Sequence, residues 1–574
     1  MNDILDRILP TVRKSARYTG GEWNSVVKDW TTCQVRWALA FPDTYEIGMS
    51  NLGLAILYDL LNGQLDVLAE RVFAPWTDME QSLRAAGLPL FSLESRRPLG
   101  EFDVIGFSLP YEQSYTNLLN MLDMAGLPVL AADRDERHPL VIAGGGAVYN
   151  PEPMADFVDV FALGDGEELV LDITCAIREG KRRDDTREAL LHRLAEIPGV
   201  YVPRFYRVTY RQDGTVAEVR STAPEAQWPV RKRIVATLPP PLTWPVVPYL
   251  DTVHNRAVVE IQRGCTRGCS FCHAGMVYRP VRERPVGEIA DAVEAIVSNT
   301  GYDEIALLSL SSSDHGQIEA LVSELAVRHR DRHLSISLPS LRIESVSVEL
   351  MEQLRETGRR SSFTFAPEAA TERLRVVINK PIADQDLLDV EEQVYGRGWN
   401  TIKLYFMIGH PTQTLDDVAA IADLAMQVRA VGRRVLGRKA QVNVSVSTLV
   451  PKPHTPFQWV PLAEEEEIRA QQEYLKENLR GPGLKLNWNR YQETLLEAIL
   501  SRGDRRLGAA IHRAWQLGAR FDGWGDQFKV EAWRQAFQET GLEIGFYTRR
   551  ARALDEAFPW DHIDAGVSKK YLAR

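Results

Sequence analysis

Two stretches of this chain alternate short apolar, β-branched runs with helical stretches, and a proline-rich segment separates them. That alternation constrains the fold more than any other feature, because repeated β-α units close into parallel sheets covered by helices. In the first stretch, 35–41, 102–109, 140–143 and 157–163 read as strands and 51–61 as a helix. Residues 200–235 read as an antiparallel appendage. Pro239, Pro240, Pro241, Pro245 and Pro248 then mark an extended linker and a domain boundary. From Ala257 the alternation restarts, with strands predicted at 257–262, 304–310, 334–338, 362–366, 401–407 and 441–448. Six such repeats predict a partial barrel whose chemistry sits at the carboxyl ends of its strands.

The predicted layout is a helical leader (1–30), an α/β domain of flavodoxin-like, Rossmann-like type with its appendage (31–235), a linker (236–250), a partial (βα)6 barrel (251–460) and a mainly helical C-terminal region (461–574). Glu464 to Glu467 opens that last region as an acidic helix N-terminus, favoured by the helix dipole. The formal net charge of −11 argues against a broad nucleic-acid-binding surface, though not against a local basic patch. No run of 18 apolar residues and no basic, then apolar, leader occurs, so neither a membrane span nor a signal peptide is expected. Cys33 and Cys175 stand alone in the sequence. With the other three cysteines they fit a reducing, cytoplasmic compartment.

Those three, Cys265, Cys269 and Cys272, lie in the run R-G-C-T-R-G-C-S-F-C-H, just after the first predicted barrel strand. Three thiolates are one short of a closed tetrahedral sulfur site or a fully ligated cubane. Structural zinc would need His273 as fourth ligand, but adjacent residues rarely close one tetrahedron, and there is no second C-x2-C pair. C-x-x-C-H over 269–273 matches a c-type haem attachment, which leaves Cys265 unexplained. A 4Fe–4S cluster uses all three thiolates and keeps one iron open.

The spacing C-x3-C-x2-C, with the aromatic Phe271 before the last cysteine, resembles the radical SAM superfamily. The resemblance implies a 4Fe–4S cluster, S-adenosylmethionine (SAM) bound at its open iron, and a reductant such as flavodoxin or ferredoxin. It also assigns segments. The Ser-rich 308–314, with Ser311 and Ser312, stands where relatives bind the SAM amino group, often with Gly-Gly-Glu. Ser340 and Arg342 follow the third strand, where a polar pair meets the ribose or carboxylate or simply solvates a strand end. Glu368, in A-P-E-A-A-T-E-R, resembles the segment of methylthiotransferase-like enzymes and would hold the SAM ammonium or ribose. Gly409, in F-M-I-G-H-P, resembles the adenine-contacting glycine segment, and His410 is either a proton donor or a turn residue. The cluster of Arg263, Arg267, Arg279, Arg282 and Arg284 reads either as a solvated basic rim or as an anion-binding mouth or donor dock.

The N-terminal domain resembles the cobalamin-binding arrangement of some radical SAM proteins. Asp43-Thr-Tyr-Glu-Ile-Gly48 is D-x-Y-x-x-G, where base-off cobalamin proteins carry D-x-H-x-x-G, so Tyr45 replaces the cobalt-ligating histidine. Ser108 and Gly144-Gly145-Gly146 complete the pattern. Two readings stay open: corrinoid bound without a histidine ligand, or a retained fold whose glycines serve turns and packing. The barrel exit Pro451-Lys-Pro-His-Thr-Pro456 is similar in position to that of methylthiotransferases. The tail Pro559 to Ser568 looks like that of an uncharacterised radical SAM group. The resemblance therefore implies a radical SAM enzyme that modifies an unactivated carbon of a small molecule, RNA or protein. Cobalamin-dependent methyl transfer, cobalamin-free methylthiolation or rearrangement, and a non-catalytic iron–sulfur module are the alternatives.

Overall fold

A computed structural model describes residues 2–332, 334–339, 341–342, 348–357 and 362–574. The chain forms two compact units, and neither is continuous in sequence. One comprises Met1–Asn255, Ile499–Tyr547 and Ala553–Ser568, and the other Arg256–Ala498, Thr548–Arg552 and Lys569–Arg574. The C-terminal region expected as one helical block over 461–574 is thus divided between them.

The first unit is built on a six-stranded sheet of β1 (Val35–Phe41), β2 (Val67–Phe73), β3 (Val104–Ser108), β4 (Leu140–Gly144), β5 (Val160–Ala162) and β6 (Val200–Tyr201). Its order is β2-β1-β3-β4-β5-β6, with β1 to β5 parallel and β6 antiparallel to β5. The 2-1-3-4-5 order is that of the flavodoxin-like fold. Strands β1 and β4 are near-continuous apolar runs because helices such as Leu52–Asn62 and Gly166–Arg183 take part in covering the sheet. The predicted appendage is a hairpin of β7 (Tyr206–Tyr210) and β8 (Val216–Ser221). Beyond it, β9 (Val230–Arg231) pairs in parallel with Ile563–Asp564 of the tail. The proline-rich segment is tied down: Val247 N donates to Trp23 O (3.0 Å) and Asn24 Nδ2 to Pro245 O (3.0 Å).

Strand β2 was not expected, because Glu70 and Arg71 interrupt its apolar run. Both are buried. Arg71 pairs with Glu22 (2.8 Å) and Glu94 (2.6 Å), which compensates the desolvation that an isolated guanidinium would suffer.

Within this unit the C-terminal helix Leu507–Gln516 packs on the helix Tyr115–Met124 of the α/β layer, and Val530–Thr540 packs on Leu507–Gln516. Asp522, between them, is 1% exposed and accepts from Thr116 Oγ1 (2.7 Å) and Trp533 Nε1 (3.0 Å). Burial pushes its carboxyl up to about 6, against the two hydrogen bonds, from an ordinary value near 3.8. The folded state therefore holds this proton more tightly than the unfolded chain. Its contribution is full below about pH 4 and is lost as pH rises through about 6. Asp522→Asn is expected to flatten that slope. It should also raise unfolding stability at pH 7.5 by about 1–3 kcal/mol, measured by denaturant titration.

The second unit carries the expected parallel strands. They are β10 (Ala257–Glu260), β13 (Glu304–Leu308) and β14 (Ser335–Ser337) in one sheet, and β15 (Phe363–Glu368), β16 (Thr401–Ile408), β17 (Gln441–Thr448) and β18 (Leu484–Trp488) in another. A two-stranded ribbon, β11 (Gln262–Arg263) with β12 (Arg282–Glu283), brackets the cysteine run. Alternation of strands with Val286–Thr300, Ile318–Arg328, Asp384–Gly396, Leu415–Leu436 and Glu465–Asn478 gives the β-α repeat, and one apolar core joins both sheets. β18 adds a parallel strand that the sequence reading placed in the helical tail.

Candidate active site

The cysteine loop leaves β11 through Gly264, whose φ is +84° and whose Cβ would stand 2.5 Å from Pro280 O, so only glycine fits. Neighbouring segments then pin it. Ser270 N donates to Ile378 O (2.9 Å), Asn379 Nδ2 to Gly268 O (2.8 Å), and Phe457 N to Ser270 O (3.2 Å). Within the loop, Arg267 N approaches Cys265 Sγ at 3.4 Å and Gly275 N approaches Cys272 Sγ at 3.3 Å. Backbone N–H groups aimed at cysteine sulfur are a means by which proteins orient and tune thiolate ligands. Cys269 is buried, whereas Cys265 and Cys272 are half-buried. Burial raises the Cys269 thiol, with Lys380 and Arg342 opposing. It pushes the Cys272 thiol up to about 11, with the other two cysteines and Glu368 adding to the rise. Proton loss therefore has to accompany metal binding here.

Among the described residues, no three His, Cys, Asp or Glu side chains are grouped to hold a single metal ion. A cubane makes a different demand, since each thiolate takes its own iron. His273 opens the helix His273–Val277 that Cys272 caps. Burial, then His454 and Lys452, lower its imidazole to about 3.

The carboxyl ends of the other strands meet this loop. At the end of β15, Glu368 takes a left-handed φ of +67° at a register shift, and its carboxylate pairs with Lys380 Nζ at 3.1 Å. Burial raises the Glu368 carboxyl, while Lys380 and Arg342 pull it down. Phe271 packs beside Ala369, Met407, Leu449 and Phe457. The cysteines, Phe271, Arg342 and Glu368 thus gather in one place. Ser340 lies outside the described residues. Gly409, with φ +79°, follows β16. A Cβ there would stand 3.0 Å from Ile468 and 3.1 Å from Ala463, so the glycine is needed for helix packing as well as for its turn. His410 is buried, with Nε2 3.5 Å from Glu368 O. Burial lowers its pKa.

Ser311 and Ser312 are buried, with hydroxyls already engaged in their own loop. Ser311 Oγ donates to Asp314 (2.8 Å) and Ser312 Oγ to Leu307 O (3.1 Å). Asp314 in turn pairs with Arg267, at 2.8 Å, between the first two cysteines. The segment therefore braces the cysteine loop.

The arginine cluster forms neither a solvated rim nor an open anion mouth. Arg263 pairs with Glu260 (2.8 Å) and Arg284 with Glu288 (2.7 Å). Arg279 donates to Gly275 O (2.9 Å) and Arg267 O (2.6 Å), and Arg282 to Tyr278 O (3.2 Å). Sequence reasoning missed Lys380, Asn379 and Asp314. Asn379 and Lys380 follow the helix Glu372–Val377, and Asn379 takes φ +53° there.

In the first unit, Tyr45 is 1% exposed. Its hydroxyl donates to Glu22 Oε1 (3.0 Å) and accepts from Tyr249 N (3.3 Å), and its ring packs edge-on against Phe73 at 5.3 Å. Asp43 accepts from Trp524 Nε1 (3.0 Å) and from Tyr111, and burial raises its carboxyl against those bonds. Gly48 leaves room for the Phe73 ring, which a Cβ would meet at 2.2 Å. Ser108 and Gly144 are register partners at the ends of β3 and β4.

Residues 53–203 match the family model for the N-terminal part of radical SAM proteins, and 259–425 match that of the radical SAM superfamily, together more than half the chain. The chain belongs to the radical SAM superfamily and is an enzyme of that class, with a 4Fe–4S cluster and SAM as the class cofactors. An uncharacterised protein of Methanocaldococcus jannaschii is 26% identical over 82% of this chain and 89% of its own. The ribosomal protein methylthiotransferase RimO of Desulfotalea psychrophila is 23% identical over 30% of this chain and 40% of its own. The radical SAM methyltransferase TsrM of Kitasatospora setae, solved with cobalamin and a 4Fe–4S cluster, superposes with TM-score 0.50 and 15% identity over 74% of this chain and 77% of that one. That likeness is one of fold. Among the described residues, no helix is long and apolar enough to cross a membrane.

Proposed function

We propose that Cys265, Cys269 and Cys272 hold a 4Fe–4S cluster with one iron left to SAM, and that the enzyme modifies an unactivated carbon of its substrate. The observation that carries this reading is the convergence of the pinned three-cysteine loop with Glu368, Lys380 and Arg342 at the strand carboxyl ends. Once bound, and given an electron from a flavodoxin- or ferredoxin-type reductant, the cluster and SAM supply reductive sulfonium cleavage and hydrogen abstraction. The chain's own residues orient that chemistry. Glu368 would face the SAM ammonium or ribose, with Lys380 holding its carboxylate in place. Arg342 would meet the carboxylate or ribose. Phe271 and the apolar residues around it exclude water. Gly409 would give the adenine a close backbone approach.

The substrate is a small molecule, RNA or protein, and the compartment is the cytoplasm. The RimO similarity favours a modification of methylthiolation type as the second reading. Only Cys33 and Cys175 remain outside the loop, so a second three-thiolate cluster cannot be built from this chain alone. Methyl transfer through cobalamin rests on fold likeness to TsrM alone.

The test of the SAM site is Glu368→Gln, which preserves shape and removes charge. A charge-assisted hydrogen bond contributes about 1.5–3 kcal/mol, so SAM affinity should fall about 10- to 150-fold by equilibrium dialysis. Unchanged affinity with a lowered melting temperature would assign Glu368 to barrel stability instead.

A further inference from the structure

In open α/β sheets, ligands lie outside the strand carboxyl ends where strand order reverses, here between β1 and β3. A corrinoid would need that crevice, and in this unit the chain's own tail fills it. Trp524 donates to Asp43 just after β1 (3.0 Å), and Tyr111, just after β3, donates to the other carboxylate oxygen. Phe521 and Trp524 pack on Trp76, just after β2, with ring centroids 4.9 and 5.1 Å away. Phe521 N donates to Asn117 Oδ1 (2.7 Å), whose Nδ2 holds Pro42 O (2.8 Å). Asp522 is fixed by Thr116, as described above. Phe521 is 1% exposed. This is a packed, hydrogen-bonded plug.

The residues of the cobalamin-like pattern are engaged elsewhere. Tyr45, in place of the lower-ligand histidine, is committed to Glu22 and Tyr249. Gly145 has φ +111°, and its Cβ would stand 2.7 Å from Leu109 O, so the approach space on that side belongs to backbone. The residues present do not fit a corrinoid.

We propose that the tail segment 517–530 is the built-in occupant of this crevice, and that the N-terminal domain of this enzyme takes no cobalamin. The domain keeps the sheet order of a cofactor-binding fold and uses the crevice to fasten its own C-terminal helices.

The test uses full-length, cluster-reconstituted protein offered hydroxocobalamin anaerobically, followed by desalting, corrinoid absorbance, and hydrogen exchange at 517–530. The proposal expects no retained corrinoid and equal protection of the Phe521 amide with and without it. Near-stoichiometric retention, or loss of tail protection on adding hydroxocobalamin, would overturn it. Trp524→Ala is a second arm. It should lower the melting temperature and leave SAM cleavage intact, because it loosens a plug and touches no SAM-binding group. A stability unchanged by that substitution would also contradict the proposal. SAM cleavage is read separately, so corrinoid retention with intact cleavage would sink this inference alone.

Discussion

Cys272→Ala, reconstituted anaerobically with iron and sulfide, is expected to lose 5′-deoxyadenosine production to background and most of its iron and visible absorption. Cys265→Ala and Cys269→Ala should behave the same way. With three protein ligands, losing one leaves a second iron without a thiolate, and the cluster becomes labile. A fold effect is separable. Cys272 also caps the helix His273–Val277 by accepting from Gly275 N, a bond that Cys272→Ser retains. The Ser variant should therefore match the melting temperature of the wild-type apoprotein while still failing to hold iron. Full cleavage activity in the triple Ala protein would refute the assignment of these ligands.

The second large effect is expected at Gly145. Its backbone, at φ +111° and ψ −170°, lies in a region essentially restricted to glycine. A side chain there would drive into Leu109 N, C and O, all within 3.2 Å of the Cβ position. Gly145→Val should destabilise the first unit by about 4 kcal/mol or more, measured by denaturant unfolding. Gly144→Ala is the control. Its nearest contact is Ala162 O at 3.4 Å, and it has no positive φ. A mild effect at both positions would mean that the backbone relaxes, and that Gly145 serves something other than packing.

The parallel alternation was legible where strands are mostly apolar runs, as in β1 and β4, and where apolar and polar residues alternate, as in β17. β2 was hidden because its central Glu70 and Arg71 find their partners elsewhere in the chain, Glu70 in Ser95 and Arg71 in Glu22 and Glu94. β18 was hidden for a different reason. Its residues are mostly half-exposed or exposed, so Leu484, Leu486 and Trp488 give a weak signal beside the helices around them. The cysteine loop could be read because three thiols at fixed spacing are chemically rare. The residues that hold it, Asn379, Lys380 and Asp314, could not, since each acts through a contact made only in three dimensions. The N-terminal pattern shows the reverse. Asp43, Tyr45 and Gly145 have the spacing of a cofactor site, but Trp524, which holds Asp43, and Tyr249, which holds Tyr45, lie hundreds of residues away.

The most direct test of the radical SAM reading is anaerobic incubation of the reconstituted wild-type protein with SAM and dithionite, with mass spectrometry of the products. The account predicts 5′-deoxyadenosine and, when substrate is present, a matching mass change in it. A protein that holds an intact 4Fe–4S cluster and binds SAM, yet releases no 5′-deoxyadenosine, would be an iron–sulfur binding module and would contradict it.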